Sequence, residues 1–151
     1  MPATKAPHNP DPYGSYNFYV EWKGIIHAGF KQCSGLDSTQ NSGDYREGTD
    51  PLSMRKLPGL NTYSNITLQR GITNNNELWQ WRQNLMEGKV DRREISIVLL
   101  DQKGEEKIRW NLSECWPISW KAPDFDAATD GAAIETLELT HEGITKVDKW
   151  S

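Results

Sequence analysis

Residues 45–71 read YREGTDPLSMRKLPGLNTYSNITLQRG, and the first part of this stretch is an unusually long polar segment. Between residues 47 and 62, Gly48, Asp50-Pro51 and Pro58-Gly59 interrupt any helical or strand period. Loops of this length in a compact domain are usually functional or disordered. Disorder is disfavoured by the apolar side chains of the segment, which are Leu52, Met54, Leu57, Leu60 and Tyr63. We therefore predict an assembly element whose apolar residues are covered by another subunit.

The segments on either side of this loop alternate as half-buried β-strands do. Before it, apolar and polar residues alternate from Tyr16 to Trp22, Lys23-Gly24 predicts a turn, and the alternation resumes over residues 26–30. This pattern indicates a hairpin. After the loop, the alternation over residues 66–71 predicts a strand that ends at Gly71.

One helix is predicted in the middle of the chain. Asn74 and Glu77 have the spacing of a capping box, with Asn in place of the usual Ser or Thr, and Gly88 can close the helix in a left-handed conformation. An apolar stripe is formed by Leu78, Trp81 and Leu85, and it is widened by Trp79 and Met86. Because the stripe is wide, we expect the helix to pack on a sheet.

The second half of the chain again predicts strands. Residues 95–100 are apolar on both faces, and residues 101–104 predict a type I turn before a returning strand with Ile108, Trp110 and Leu112 on its apolar face. Trp116, Ile118 and Trp120 repeat the apolar pattern, and Pro117 indicates an edge or a bulge.

The last predicted strand, residues 133–141, has two unlike faces. Leu137 and Leu139 lie on one face, and Thr136, Glu138 and Thr140 lie on the other, which should therefore be wet. The sum is about seven strands and one helix, so the predicted fold is mainly β. We expect two packed antiparallel sheets, sandwich- or barrel-like, with one flanking α-helix and a long inter-subunit loop. The predicted organisation is a flexible N-terminal arm (1–15), a β domain (16–147) and a C-terminal tail (148–151).

Composition disfavours several classes of function. The chain has 151 residues and a net charge of −4, from 17 basic and 21 acidic side chains, which gives no electrostatic footprint for nucleic acid. No apolar run reaches membrane-spanning length, and the proline-bearing N-terminus lacks the apolar core of a signal peptide. We therefore expect cytoplasmic synthesis and assembly and no direct membrane insertion. Cys33 and Cys115 match no metal spacing and are interpreted as buried thiols.

No catalytic constellation is evident. The chain contains no nucleophile elbow, no phosphate-binding loop and no dinucleotide fingerprint, and its three histidines lack the spacing of a metal site. We therefore predict no enzyme activity, no cofactor and no metal. A carbohydrate-binding β-sandwich is an alternative, because Trp116 and Trp120 could form a stacking platform, although these residues equally suit a core-facing strand.

The order and spacing of many short pieces resemble the tail-tube proteins of contractile phage tails and related contractile injection systems. The pieces that carry the resemblance are Asn17-Phe18, Phe30, Ser34-Gly35-Leu36, Tyr45-Arg46-Glu47-Gly48, Lys56-Leu57-Pro58-Gly59-Leu60, Tyr63, Asn65-Ile66-Thr67-Leu68, Arg70-Gly71, Leu78-Trp79, Trp81, residues 97–101, Pro117, Trp120, Ile134-Glu135 and His141-Glu142-Gly143. Together they extend from Tyr16 to about Val147.

The resemblance implies two packed sheets with a flanking helix, and hexameric rings whose neighbouring sheets join into a β-barrel around a channel. The rings would stack into a tube, with sheath, baseplate or spike, and terminator proteins as partners and cargo protein or DNA in the lumen. The resemblance also implies that residues 38–62 reach neighbouring subunits.

On this basis two sets of residues are predicted to be functional. The predicted subunit-interface residues are Tyr45, Arg46, Glu47, Met54, Lys56, Leu57, Pro58 and Leu60. The predicted lumen-facing residues are Thr136, Glu138 and Thr140. Periodicity alone fits an ordinary solvent face equally well for the second set.

Overall fold

The fold of the protein was taken from a computed structural model, which describes residues 12–23, 25–27, 29–45 and 55–149. The elements of this part of the chain are β1 (Phe18–Trp22), β2 (Ile25–His27), β3 (Phe30–Ser34), β4 (Ser38–Tyr45), β5 (Arg55–Tyr63), β6 (Ile66–Gly71), α1 (Glu77–Met86), β7 (Arg93–Leu100), β8 (Glu106–Lys121), β9 (Ile134–Thr140) and β10 (Gly143–Asp148). The prediction of a mainly β fold with two antiparallel sheets and one helix is confirmed. The sheets are not closed into a barrel, and the described strands are more numerous than predicted.

One long strand, β8, belongs to both sheets. Its first part pairs with β7 on one edge and β10 on the other, and its second part pairs with β9. The first sheet therefore has the order β2-β1-β7-β8-β10, and the second has the order β8-β9-β6-β3. Glu114 lies between the two parts with a positive φ of 54°, a conformation that bends the strand where it passes from one sheet to the other.

The core lies between the two sheets and the inner face of α1. Its fully buried members are Val20, Ile66, Leu68, Leu78, Trp81, Ile95, Leu112, Cys115, Leu137 and Leu139. They come from both sheets and from the helix, as the alternating patterns predict. Trp81 anchors the helix, because its indole nitrogen donates to the Asp91 carbonyl at 2.8 Å and the Arg93 guanidinium lies 4.5 Å from its ring centroid.

The helix prediction is wrong at the N-terminal end and correct at the C-terminal end. The capping box of Asn74 with Glu77 is wrong, because the N-cap residue is Asn76 and the Asn75 carboxamide oxygen accepts the Glu77 N–H at 2.9 Å. The C-terminal end is confirmed. Gly88 has a φ of 82° and donates to the Leu85 carbonyl, while the next N–H, of Lys89, reaches back to the Asn84 carbonyl, which together form a Schellman motif.

The predicted hairpin after Tyr16 is correct only in its first half. β1 and β2 pair antiparallel around Lys23, which has a positive φ of 55°. The returning strand does not continue to Phe30, because the chain turns at Gly29 with a φ of 89° and β3 pairs with β6 instead. The residues of this single alternating pattern therefore belong to strands of two different sheets.

The strand predicted around Trp116 has its faces reversed. Cys115 and Pro117 are buried, whereas Trp116 and Ile118 are only half-buried. The bend at Glu114 shifts the alternation of buried and exposed residues by one position. Sequence periodicity cannot reveal such a shift. The predicted irregularity at Pro117 is confirmed, since the register with β9 shifts directly after it.

Candidate subunit interface

The segment predicted as an irregular loop is a two-stranded ribbon at its described ends. β4 and β5 pair with each other from Ser38 opposite Tyr63 to Tyr45 opposite Arg55. The prediction that no strand period crosses residues 47–62 is therefore wrong for β5. Pro58 is compatible with β5 because β5 pairs only with β4 among the described strands, and edge strands accept proline.

A bulge accounts for the Pro58-Gly59 sequence inside β5. Gln40 pairs with Asn61 and Ser42 pairs with Pro58, so Asn41 alone faces the two residues 59 and 60. A Cβ at Gly59 would lie 2.9 Å from the Asn41 carbonyl oxygen, a distance that real side chains do not adopt. Glycine therefore permits the close approach that the bulge requires.

The bulge places two exposed leucines on one face of the ribbon. Leu57 pairs with Gly43, and Leu60 stands in the bulge opposite Asn41. Because paired residues share a face and every second residue of a strand returns to it, Leu57 and Leu60 lie on the same side despite a spacing of three. Their side chains are 48% and 77% exposed. The protomer thus leaves an apolar pair uncovered.

The opposite face of the ribbon is polar. The Lys56 ammonium lies 2.6 Å from an Asp44 carboxylate oxygen, and the Asn61 amide donates to the Tyr63 hydroxyl at 3.0 Å. One face of the ribbon is therefore suited to water and the other to a protein surface.

The base of the ribbon is tied to the domain. Gly35 has a φ of 99°, and a Cβ there would lie 2.1 Å from the Asn65 carbonyl oxygen, so only glycine fits. The Asp37 carboxylate accepts the Ser64 N–H at 3.3 Å, which links the start of β4 to the end of β5. These contacts set the direction in which the ribbon leaves the domain.

The predicted interface residues are thus only partly located. Lys56, Leu57, Pro58 and Leu60 lie on β5, and only the backbone of Tyr45 is described, at the end of β4. The other three, Arg46, Glu47 and Met54, lie outside the described residues. Their role at an interface stays a prediction.

The predicted lumen-facing residues lie on a polar face of the second sheet. Thr136, Glu138 and Thr140 are half-buried on β9 and alternate with the buried Glu135, Leu137 and Leu139. The cross-strand neighbours of Thr136 and Glu138 are also polar, namely Thr67, Gln69, Ser119 and Lys121, whereas Thr140 pairs with Trp116. Asn65 donates to the Glu138 carboxylate at 3.2 Å. The three predicted residues are polar and partly exposed, and their position in an assembly stays a prediction.

Beneath this face lies a buried ion pair that the sequence analysis missed. The Arg70 Nε donates to a Glu135 carboxylate oxygen at 2.8 Å, with side chains only 7% and 5% exposed. The other Glu135 oxygen accepts the Trp120 indole N–H at 3.0 Å, and a second Arg70 nitrogen donates to the Asn75 carbonyl at 3.2 Å. The pair links β6, β8, β9 and the approach to α1. The sequence did contain a signal for this pair. Arg70 has the same two-residue spacing as the buried Ile66 and Leu68, and Glu135 has that of Leu137 and Leu139, which places both charges on buried faces.

A second charged cluster fastens the end of the described chain to the first sheet. Arg109 binds both Glu21, at 3.0 Å, and Glu106, and Glu106 also pairs with Lys149. Burial acts to raise the pKa of Glu106, but the hydrogen bonds from Lys149 and Arg109 outweigh it and the pKa is lowered. The hydrogen bond to Glu21 is the largest cause of the raised pKa of Arg109. The C-terminal end of β10 is thereby held against the start of β8.

The described residues contain no metal-binding cluster and no activated thiol. Among them, no group of three or more His, Cys, Asp or Glu side chains could hold a metal ion. Burial raises the pKa of both the Cys33 and Cys115 thiols to about 12, so neither is a ready nucleophile. No helix in this part of the chain is long and apolar enough to cross a membrane.

The tryptophans considered for carbohydrate binding do not form a shared platform. Trp120 packs edge-to-face on Trp79 at 4.9 Å between ring centroids, and its indole N–H is bound to Glu135. Trp116 lies instead in a shallow depression with Leu85 and Val90. Nothing in this arrangement favours the carbohydrate-binding alternative.

Solved structures of similar proteins come from contractile particles. A protein of the anti-feeding prophage cap (AFP tube terminating cap) is 28% identical over 99% of this chain and 100% of that chain, with a TM-score of 0.86. The sheath-tube complex of an extracellular contractile injection system (PVC) is 28% identical over 91% of this chain and 93% of that chain, with a TM-score of 0.82. The sheath/tube terminator of the PVC system is 29% identical over 94% and 99%, with a TM-score of 0.81.

A solved structure of lower sequence identity shares only the fold with this chain. Hcp1 from Flavobacterium johnsoniae is 14% identical over 89% of this chain and 100% of that chain, with a TM-score of 0.54. No curated protein matches the sequence. The model of the family described as T4-like virus tail tube protein gp19 matches residues 14–145, which is nearly the whole described domain. The chain therefore belongs to the T4-like virus tail tube protein gp19 family, a family of structural tube subunits.

Proposed function

We propose that this chain is the inner-tube subunit of a contractile injection system or phage-like tail, in which hexameric rings stack around a channel. The observation that carries the proposal is the pair of leucines on the ribbon. A domain with a closed core of its own leaves Leu57 and Leu60 on one exposed face of a projecting ribbon. Two strands alone are marginally stable in water, so such a ribbon gains stability from a neighbour.

The edges of the sheets support assembly in the same way. Within the described residues, β3 pairs only with β6 and β2 pairs only with β1, so each ends a sheet with one unpaired side. Unpaired edges are templates for pairing with another chain. Pairing of such edges around a six-fold axis joins the sheets of neighbouring subunits into one barrel, although the sheets of the protomer are not themselves closed.

The polar face of β9 is suited to the wall of the channel. Thr136, Glu138 and Thr140 present small polar groups and one negative charge, which resist adhesion of a passing protein and repel DNA phosphates. The proposed contents of the channel are therefore cargo protein or DNA. The proposed partners are a sheath, a baseplate or spike and a terminator, in keeping with the particles that contain the similar structures. The proposed role includes no enzymatic step.

Electron microscopy of the purified protein tests the assembly. Wild-type protein is expected to form rings or tubes under assembly-permissive conditions, and a preparation that contains only monomers would contradict the proposal. The double variant Leu57→Asp/Leu60→Asp is expected to lose rings and tubes while each protomer keeps a cooperative thermal transition, because both side chains are exposed in the protomer.

A matched control is Val90→Asp, which places the same charge at an apolar residue that is 87% exposed and lies outside the ribbon. This variant is expected to assemble as the wild type does. Loss of the thermal transition in the double variant would show instead that the leucines belong to the core of the protomer.

A further inference from the structure

An apolar groove opens between the two sheets on the side of the domain where the ribbon begins. Its volume is about 550 Å³, which lies within the range of about 300–1,000 Å³ found for ligand pockets and has room for more than one side chain. Tyr16 stands at its rim and is 78% exposed. The apolar walls are formed by Phe18, Cys33, Leu36, Ile97, Leu99 and Trp110.

The described strands of the ribbon, residues 38–45 and 55–63, are not among the residues that line this groove in the same protomer. Neither Leu57 nor Leu60 is among the residues that line it, and both are exposed. The ribbon starts two residues after Leu36 in the groove wall, and its direction is set at its base by Gly35 and Asp37. In the part of the chain that the structure describes, the protomer therefore carries both an apolar groove and an exposed apolar pair that does not line it.

We propose that the leucine face of the ribbon docks in this groove on a second copy of the chain. This inference rests on the proposed function, which supplies the second copy, and adds the surface that receives the ribbon. Leu57 and Leu60 lie on one side of the ribbon because of the bulge at Gly59, so both enter the groove together. The polar side of the ribbon, with the Lys56–Asp44 ion pair, stays in water.

The two surfaces explain why the contact joins identical chains. The donor and the acceptor are different parts of one surface, so the contact is heterologous, and each copy can give its ribbon to one neighbour and receive the ribbon of another. Repetition of the contact covers the exposed leucines and the groove of every internal copy. Large apolar surfaces that stay exposed on a monomer are otherwise uncommon.

Crosslinking between two variants tests the contact. Both variants carry Cys33→Ala to remove the thiol native to the groove, whereas Cys115 is fully buried and is retained. One variant adds Leu60→Cys on the ribbon and the other adds Tyr16→Cys at the rim. The control pairs Leu60→Cys with Val90→Cys, which is 87% exposed and lies outside the groove. The mixtures are treated with a short thiol crosslinker under assembly conditions, and parallel samples are imaged by electron microscopy.

Docked thiols meet at an effective concentration on the order of millimolar, against micromolar for free copies, so the Leu60→Cys with Tyr16→Cys mixture is expected to crosslink at least roughly a hundredfold faster than the control. That result supports the proposal. Equal or absent crosslinking in samples that visibly contain rings or tubes overturns the docking site and leaves the proposed function intact. Samples that contain neither assemblies nor crosslinks overturn both.

Discussion

Breaking the buried ion pair between Arg70 and Glu135 by removing one of its members should strongly destabilise the second sheet. Arg70→Met leaves the Glu135 carboxylate buried with only the Trp120 indole as a charge-neutral donor, and Glu135→Leu leaves the guanidinium without its carboxylate. Removing one member of a buried pair typically costs about 3–5 kcal/mol, because the remaining charge stays out of water. Each single variant is therefore expected to lose that much of its free energy of unfolding.

Replacing both members should cost much less than the sum. Two apolar side chains of similar volume remove both buried charges, and such exchanges are often neutral or stabilising. Here the Trp120 indole N–H also loses its acceptor, which costs about 1–3 kcal/mol for an unsatisfied buried group. We expect the double variant Arg70→Met/Glu135→Leu to lose about 1–3 kcal/mol, which leaves a coupling free energy of at least about 3 kcal/mol between the two sites.

Urea unfolding followed by tryptophan fluorescence and circular dichroism measures these free energies on the protomer. In a thermal scan, each single substitution should lower Tm by roughly 6–20 °C, since 1 kcal/mol corresponds to about 2–4 °C for a domain of this size. The control is Asp44→Asn in the exposed Lys56–Asp44 pair, which should cost no more than about 1 kcal/mol. A coupling free energy below about 0.5 kcal/mol would refute the reasoning, because independent sites are additive within that margin.

Three further predictions concern the ribbon and the charged cluster at the end of β10. Gly35→Ala should destabilise the protomer by more than about 1 kcal/mol, measured by urea unfolding, because its φ of 99° and the close approach of a carbonyl exclude a side chain. Gly59→Val should leave the Tm of the protomer nearly unchanged and reduce the fraction that sediments as rings or tubes, since it disturbs only the exposed bulge; a large loss of Tm would show that the ribbon supports the core. Glu106 has a lowered pKa, so its contribution to stability is complete above its unfolded value of 4.5 and is lost as the pH falls through the folded value. Glu106→Gln should therefore show a smaller fall of Tm between about pH 6 and about pH 3 than the wild type does, and an equal fall in both proteins would contradict the assignment.

Local sequence patterns correctly predicted the secondary structure and burial of residues that belong to one sheet and have a regular backbone. The alternation over Ile66 to Gly71, the burial of Leu137 and Leu139, and the closure of the helix at Gly88 all follow from period and from the permissive backbone of glycine. Each of these features depends on contacts within a few residues or on one buried face, so the sequence of this chain alone carries the information.

The errors occur where one residue changes the phase of a pattern. The left-handed conformations at Gly29 and Glu114 move a strand to another sheet or exchange its faces, and the bulge at Gly59 turns a suspected loop into paired strand. A slip of one residue reverses every side chain that follows, and nothing in local composition marks it.

The sequence by itself determined the β class, the family resemblance and the segment through which copies are expected to meet. Only the tertiary structure decided that Leu57 and Leu60 share a face, that an apolar groove lies between the sheets, and that Arg70 and Glu135 neutralise each other inside the fold. The physical reason is the same in each case. Register, a gap between two sheets and the pairing of charges separated by 65 residues are properties of strands brought together from distant parts of the chain, and no window of sequence contains both partners.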